Sequence, residues 1–258
     1  MDADSPAAAR ARARIRIRIK GADYRMADQA AADIVASALG AGARVAGPFP
    51  LPSQVEEAGT GLRPEVRAHR RLIEIVGANQ KTIDALRRHN APAGVDLAIV
   101  APEEPAAPDA APAKRNRRHD SRVAAMQFLF SWETQRHPDM VTALFDFFAE
   151  RPQPRDYYSF AEELIHGVIR DLALVDEVIG KYAKNWAFAR IARVDLAVLR
   201  VAVFELLRRT DIPPVVSINE AVDLAKEFST EDSKRFVNGI LDSYKEELGR
   251  DPRKAEGG

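Results

Sequence analysis

The sequence predicts an α+β domain followed by an all-α helical bundle. Near its start, residues 14–20 read RIRIRIK, a strict alternation of cations and isoleucines that is typical of a half-buried β-strand. Residues 101–113 read APEEPAAPDAAPA, which lacks hydrophobic periodicity and has the composition of an extended linker. Most of the sequence after this stretch has apolar residues at helical spacing. Two modules of different secondary structure are therefore expected.

The segment before the linker alternates between strand and helix signals. A helix over residues 24–39 is expected to end at Gly40 and Gly42, because glycine accepts the backbone conformation of a helix end. A second strand begins at residues 44–46 and is expected to end at the proline-rich GPFPLP stretch. The remaining predicted elements are a loop at 54–64, a strand at 65–76, a helix at 80–88 and a strand at 95–100. The order βαββαβ predicts a ferredoxin-like α+β fold.

The segment after the linker predicts helices separated by proline-containing breaks. The helices are expected at residues 117–134, 140–149, 157–172, 174–184, 193–209, 218–227 and 231–248. The predicted organisation of the whole chain is a tail at 1–13, an α+β domain at 14–100, a linker at 101–114, a helical domain at 115–249 and a tail at 250–258.

Composition excludes several classes of function. The 258 residues include no cysteine, which excludes disulfides, cysteine catalysis and thiolate metal sites, and this fits the cytoplasm. The five histidines are dispersed and no phosphate-binding or dinucleotide-binding loop is found, so no enzyme activity, metal or cofactor is expected. No apolar run could cross a bilayer, so no membrane association is expected. Because 38 basic residues balance 38 acidic ones, any affinity for nucleic acid must come from local patches.

Two resemblances to known families cover almost the whole chain. The strings IRIRIKGADYRMADQAAADIV, GPFPLP, RAHRRLIEIV, KTIDAL and PAGVDLAI, in that order, resemble the small-subunit ribosomal protein also known as NusE. The strings RVAAMQFLFSWE, ELIHGVI, RVDLAVLRVAVFELL, DIPPVVSINEAVDLAKEF and TEDSKRFVNGILD resemble the NusB family. The sequence is thus similar to a NusE-like domain fused to a NusB-type helical bundle.

The resemblance implies a function in transcription antitermination. In these families NusB and NusE form a heterodimer that binds the boxA element of nascent RNA, notably in ribosomal RNA operons. The heterodimer joins RNA polymerase with NusA and NusG and suppresses termination. Here the pairing is expected to be intramolecular, because a short tether gives an effective concentration on the order of millimolar.

The RNA-binding residues are expected at the starts of two helices of the second domain. A cluster of guanidinium groups suits phosphate, and cations beside an aromatic ring suit unpaired RNA. The alternatives are a solvated linker end for the first cluster and a core position for Phe236, and Ser229 or Thr230 is expected to cap the last helix. The expected RNA-binding residues are Arg115, Arg117, Arg118, His119 and Arg122, then Asp232, Lys234, Arg235 and Phe236. Among them, the resemblance places Arg118, His119 and Arg122 on basic positions of the family, and Asp232 and Phe236 on positions at the RNA surface.

The resemblance also implies an interface between the two domains. It places Tyr24, Arg25 and Asp28 on the first domain, and Phe130 and Asp195 on the second. The alternative for Asp195 is an ordinary helix acid. The alternating cations of residues 14–20 could face RNA, or they could form a solvated strand face.

A structural small-ribosomal-subunit protein fused to a NusB regulator is the alternative function. Ribosomal members of the family carry a long basic hairpin where this chain has only the eleven residues 54–64, with Glu56 and Glu57 against Arg63. Incorporation into the ribosome is therefore possible but disfavoured.

Overall fold

The structure is a computed structural model that describes residues 14–56, 66–100, 117–137, 139–149, 151–183 and 188–255. Contacts divide the chain into two compact units, residues 1–111 with 131–140 and residues 112–130 with 141–258. The strands and helices of the first unit are β1 (Arg14–Gly21), α1 (Tyr24–Gly40), β2 (Arg44–Glu56), β3 (Val66–Val76), α2 (Gln80–Arg87) and β4 (Val95–Val100).

The described strands of the first unit form one antiparallel sheet in the order β2-β3-β1-β4. Ile17 and Ile19 of β1 point to the same face as Ile73 and Ile75 of β3, and α1 covers this face with a stripe of small residues around Ile34. Isoleucines alternate with cations because successive side chains of a strand point to opposite faces. The predicted ferredoxin-like α+β fold is confirmed.

The prediction for the second strand was wrong. β2 does not end at GPFPLP but continues through the prolines to Glu56, so the first three residues of the expected loop are strand. β2 is an edge strand, where proline is tolerated if its nitrogen faces away from the sheet or lies at a bulge. The pairing of β2 with β3 shifts register between Ala46 and Phe49 and between Leu51 and Gln54. Residues 57–65, which include the rest of that loop, lie outside the described residues.

The described residues after the linker are helical, and among them residues 131–137, 139 and 140 are grouped with the first unit. They form α3 (Arg117–Gln135), α4 (Met140–Ala149), a 3-10 turn (Arg155–Tyr158), α5 (Ser159–Arg170), α6 (Leu172–Tyr182), a 3-10 turn (Phe188–Arg190), α7 (Arg193–Arg208), α8 (Pro214–Phe228) and α9 (Ser233–Glu247). α8 starts at Pro214, earlier than expected, because proline is well suited to the first position of a helix, where its missing N–H is not needed. The predicted all-α bundle is confirmed.

α7 is the central helix of the bundle. All its residues from Val194 to Leu206 are buried. α5 comes very close to it, because a Cβ at Gly167 would lie inside contact distance of the Phe204 ring. Both ends of α7 carry side chains of the site described next.

Candidate nucleic-acid interface

The start of α3 presents two exposed arginines that are held in different ways. Arg117 donates from Nε to the Tyr157 carbonyl oxygen at 2.8 Å and from Nη2 to that of Asp156. These bonds fix its guanidinium beside the 3-10 turn that precedes α5. Arg115, expected in the same cluster, lies outside the described residues.

Arg118 lies over an aromatic ring that it shares with two other arginines. Its guanidinium carbon is 4.0 Å from the centroid of Phe160, and that of Arg209 is 5.0 Å from the same ring. The guanidinium carbon of Arg122 is 5.4 Å from this centroid, so three guanidinium groups lie near a ring that is only 5% exposed. Arg209 stands 91 positions after Arg118 and no local motif connects the two, so the sequence alone did not predict Arg209 here.

An acidic residue accompanies this pair of arginines. Asp211 accepts from Arg209, from Nε at 2.8 Å and from Nη2 at 3.0 Å. This hydrogen bonding raises the pKa of Arg209 and lowers the pKa of Asp211, and the charge of Arg118 lowers the latter further. The carboxylate therefore stays ionised and offsets part of the positive charge around Phe160.

Arg122 points into the bundle rather than toward solvent. It is 3% exposed and donates from Nε and Nη2 to the two carboxylate oxygens of Glu205 on α7, at 2.7 and 2.8 Å. Ser217 of α8 donates to the same carboxylate at 2.7 Å, and Arg122 Nη1 lies 3.5 Å from Glu220. Arg122 was expected at the RNA surface, but its guanidinium joins α3 to α7 and α8.

His119 also contacts α8. Its Nδ1 lies 2.9 Å from Glu220 Oε2, and its Nε2 lies 4.0 Å from Glu227 Oε2. The hydrogen bond with Glu220 raises the pKa of His119 and lowers the pKa of Glu220, whereas burial raises the pKa of Glu227. His119 is half-buried, so part of its ring still faces solvent beside Arg118 on α3.

The start of α9 carries the second predicted group. Arg235 is exposed, Phe236 is half-buried, and Lys234 Nζ lies 2.7 Å from Glu231 Oε1. Asp232 is exposed at the N-cap position, where its carbonyl oxygen accepts from the backbone N–H groups of Arg235 and Phe236. The four predicted residues of this group thus lie together on the first turn of α9.

The expected capping of α9 was wrong. The helix begins at Ser233, and neither Ser229 nor Thr230 occupies the N-cap position. Instead the two form a hydroxyl cluster with Ser233, whose Oγ lies 2.9 Å from Ser229 Oγ and accepts from Thr230 N at 3.2 Å. The serines and threonine therefore order the turn before the helix.

Asp195 holds this hydroxyl cluster to α7. Ser233 Oγ donates to Asp195 Oδ2 at 2.8 Å, and Asp195 is 5% exposed. Burial raises the pKa of Asp195, although hydrogen bonds from Ser229 and Ser233 act in the opposite direction. Phe130, the other expected interface residue of the second unit, is 1% exposed, with the Arg193 guanidinium 5.8 Å from its ring centroid.

The expected interface residues of the first unit lie at the start of α1. Asp23 caps this helix by accepting from Arg25 N at 2.8 Å, and Arg25 Nε donates to the Tyr24 hydroxyl at 3.2 Å. Asp28 is buried and accepts from Arg71 of β3 at 2.7 Å. Tyr24 and Arg25 are thus accessible at the surface, whereas Asp28 belongs to the interior.

His69 lies beneath the same end of α1. Its ring centroid is 5.9 Å from that of Tyr24, and the residue is 4% exposed. Burial, together with the charges of Arg71 and Arg67, lowers the pKa of His69 to about 4. The ring is therefore neutral near pH 7.

A metal site and a membrane-spanning helix are both absent from the parts of the chain that the structure describes. No group of three or more histidine, aspartate or glutamate residues there could hold a metal ion. Within the same residues, none of the helices combines the length and apolar character needed to span a membrane.

Comparison with known proteins finds a match to each unit in turn. The family model described as ribosomal protein S10p/S20e matches residues 16–100, and the NusB family model matches residues 119–246. The transcription antitermination protein NusB of Methylacidiphilum infernorum is 39% identical over 133 residues, which are 52% of this chain and 93% of that protein. The NusB of Sorangium cellulosum is 43% identical over 135 residues, which are 52% of this chain and 94% of that protein.

Solved structures give matches to the same family. T. maritima NusB is 36% identical and covers 50% of this chain and 91% of its own, with a TM-score of 0.47. The structure of antitermination factors NusB and NusE in complex with dsRNA is 25% identical and covers 51% of this chain and 98% of its own, with a TM-score of 0.46.

These matches define a fusion of two modules of RNA-binding regulatory type. The chain belongs to the NusB family of transcription antitermination proteins, and a ribosomal protein S10/NusE domain precedes its NusB domain.

Proposed function

We propose that this protein is an antitermination factor that binds boxA-type single-stranded RNA of ribosomal RNA operons. The observation that carries the proposal is the exposed cationic surface at the start of α3, where Arg118 lies over Phe160 and Arg117 is held on the Tyr157 carbonyl oxygen. Arginine guanidinium groups make planar, charge-assisted contacts with phosphate. The names of the relatives support the same process, and the chain contains both modules that the process uses.

The side chains at the two helix starts divide into two roles. Arg117, Arg118 and Arg235 contact phosphate, and Arg209 adds a fourth guanidinium beside Arg118. Phe236 stacks on an unpaired base, since aromatic rings are the usual platform for single-stranded RNA.

The remaining residues of this proposal act through others. His119 and Arg122 fix the direction of α3 through Glu220 and Glu205, so they position Arg117 and Arg118 without touching RNA themselves. Asp232 and Lys234 flank the base that Phe236 stacks. Because every residue here binds or positions, the proposed function is regulatory and not enzymatic.

The NusE-like unit is the proposed link to the transcription machinery. It pairs with the NusB-like unit through Tyr24 and Arg25 on one side and through the surface around Phe130 on the other. The pair then tethers boxA RNA to the elongating RNA polymerase with NusA and NusG in the cytoplasm. The tether between the modules favours this pairing within one chain.

The test is RNA binding by fluorescence anisotropy over a range of salt concentrations. A boxA RNA and a scrambled RNA of equal length should both show a steep salt dependence, and boxA should bind more tightly. Arg118→Ala should weaken boxA binding about tenfold or more. Arg170→Ala is the matched control. The exposed side chain of Arg170 lies at the other end of α5, about 15 Å along the helix from Phe160.

Two results would contradict the proposal. Equal affinity for both RNAs would remove boxA recognition, and equal losses from Arg118→Ala and Arg170→Ala would remove the α3 start from the interface.

The match to the ribosomal protein family favours one second candidate, a structural protein of the small ribosomal subunit. Co-sedimentation of the full chain with small subunits in high salt would support it. Recovery of the chain only in the unbound fraction would exclude the ribosomal function and leave antitermination as the single candidate.

A further inference from the structure

The sheet of the first unit has one basic face, which lies opposite the face covered by α1 and α2. α1 and α2 pack on the face formed by Ile17, Ile19, Ile73 and Ile75. The register of the strands places the alternate residues on the opposite face. This opposite face, which we name the basic sheet face, carries Arg14, Arg16, Arg18, Lys20, Arg44 and Arg70, and against them Glu74 and Asp96.

Part of the basic sheet face is open to solvent. Asp96 and Ala98 of the edge strand β4 are exposed beside Lys20 and Arg18, their partners on β1. Arg18 and Lys20 are themselves half-buried, since their stems lie along the sheet. A ligand could therefore reach the face from the β4 side.

The cations of this face differ in the hydrogen bonds and ion pairs that they form within the protein. Arg16 Nε lies 2.5 Å from Glu74 Oε1, and Arg70 donates to the Pro52 carbonyl oxygen at 3.0 and 2.7 Å. Arg18 Nε is buried and has no hydrogen-bond partner among the described residues. The described residues therefore leave a donor of Arg18 unused.

An aromatic ring stands in the same row as Arg18. Arg18 pairs with Leu72, and Leu72 pairs with Phe49 on the other side, so the three side chains lie across one face. Phe49 is half-buried. Cations interleaved with an aromatic and an aliphatic side chain on a sheet form the type of surface on which single-stranded RNA lies.

The spacing of the cations fits a linear polyanion. Successive same-face residues of a strand are about 6.7 Å apart, so Arg14 to Lys20 spans about 20 Å in one line. An acidic peptide would need carboxylates at matching intervals, whereas an extended RNA strand presents a phosphate at each nucleotide. The face therefore favours a nucleic-acid backbone.

We propose that the basic sheet face binds the phosphate backbone of single-stranded RNA outside the boxA segment held by the helical unit. The proposal rests on the proposed function, since it extends the RNA footprint of the same protein. Arg18 and Lys20 are the main contacts, and Phe49 supports a base beside them.

The experiment compares two RNAs on the full chain by fluorescence anisotropy, boxA alone and boxA extended by single-stranded nucleotides at either end. The extended RNA should bind more tightly. Replacing Arg18→Gln and Lys20→Gln together should reduce the affinity for extended RNA about tenfold and lower the salt slope by about 1.4, with little change for boxA alone. The charge-preserving pair Arg18→Lys and Lys20→Arg should keep most of the gain, which separates loss of charge from loss of fold.

The control removes two cations from the same unit but from the other side of the sheet. Lys81 and Arg87 are exposed on α2, so Lys81→Gln with Arg87→Gln makes the same change in net charge. This variant should retain the full gain from the extension. Equal effects of the two double variants would overturn the proposal and leave only nonspecific attraction.

The outcomes for the two proposals are distinguishable. If boxA and scrambled RNA bind equally but extension still strengthens binding through Arg18 and Lys20, boxA recognition fails and the basic sheet face stands. If boxA is recognised but the Arg18 and Lys20 variant binds extended RNA as tightly as the unchanged protein, the sheet proposal is wrong. An acidic protein ligand lost by that same variant would then assign the face to a protein partner.

Discussion

Arg122 and Glu205 form a buried two-point ion pair across 83 positions of sequence, with donor–acceptor distances of 2.7 and 2.8 Å. Glu205 also accepts from Ser217, and the pair therefore connects α3, α7 and α8. Arg122, which was predicted as an RNA contact, thus stabilises the interior of the bundle. Loss of Arg122 should therefore act first on the stability of the helical unit.

Arg122→Met should lower the free energy of unfolding of the helical unit by about 3–5 kcal/mol, because it leaves the Glu205 carboxylate buried without its partner. Adding Glu205→Leu should recover most of that loss, since two apolar side chains of similar size need no charge compensation. Urea unfolding followed by far-UV circular dichroism measures both changes. A stable single variant that has lost RNA binding would instead place Arg122 at the RNA surface.

Ser233→Ala should loosen the start of α9. It removes the donor to Asp195 Oδ2 and the acceptor of Thr230 N, with an expected cost of about 1–3 kcal/mol. Because Lys234, Arg235 and Phe236 follow directly, RNA affinity should fall as well.

Ser243→Ala provides the control for that prediction on the same helix. Its exposed hydroxyl donates only to the Gly239 carbonyl oxygen within the helix, so both stability and RNA affinity should stay nearly unchanged. Anisotropy and urea unfolding of the two variants, side by side, test the difference. If the two variants behaved alike, the Asp195–Ser233 contact would have no role in positioning the start of α9.

Two histidines should give the two units opposite responses to pH. The pKa of His69 is lowered to about 4, so the folded ring stays neutral while the unfolded one takes a proton below about 6.5. Stability from His69 is present above pH 6.5 and is lost as pH falls toward 4, by a total on the order of 3 kcal/mol. The first unit should therefore weaken on acidification.

The pKa of His119 is raised, mainly by the hydrogen bond with Glu220. Its stabilising contribution is complete below the unfolded pKa and is lost as pH rises through the folded pKa. NMR titration of the ring protons measures both sites directly, with His69 titrating near 4 and His119 above 6.5. His69→Leu should remove the acid sensitivity of the first unit, and a His69 that titrates at the usual pH would refute its burial.

Gly167→Ala should destabilise the helical bundle. The added methyl group would overlap the Phe204 ring where α5 crosses α7, and such overpacking costs about 1–3 kcal/mol. Gly180→Ala on α6 has open space around it and should instead stabilise the bundle by up to about 1 kcal/mol. Thermal unfolding of both variants checks the opposite signs.

Local pattern was sufficient for most of the fold. Alternation over residues 14–20 predicted β1 within one residue of its end, and helical spacing predicted α3 and α7 equally closely. β2 was missed because proline is a strand breaker except at a sheet edge, and edge position depends on which strands pair. The prolines are visible in the sequence, but whether they end the strand depends on its long-range pairing with other strands.

The candidate site was predictable as a set of residues but not as a geometry. Arg117, Arg118, Arg235 and Phe236 lie at helix starts as expected, whereas Arg209 joined them only through the shared Phe160 ring. Asp28 and Asp195 were expected at an interface but are buried by Arg71 and Ser233 from distant parts of the chain.

The order of the two modules, the class of each and the family resemblance follow from the sequence alone, because periodicity and motif strings depend on residues close along the chain. Which cations face solvent does not follow from it. Arg118 and Arg122 are four positions apart on one helix, yet one lies over Phe160 at the surface and the other is buried on Glu205. A charged side chain is buried only where a partner compensates its desolvation, and folding alone brings a partner from 83 positions away.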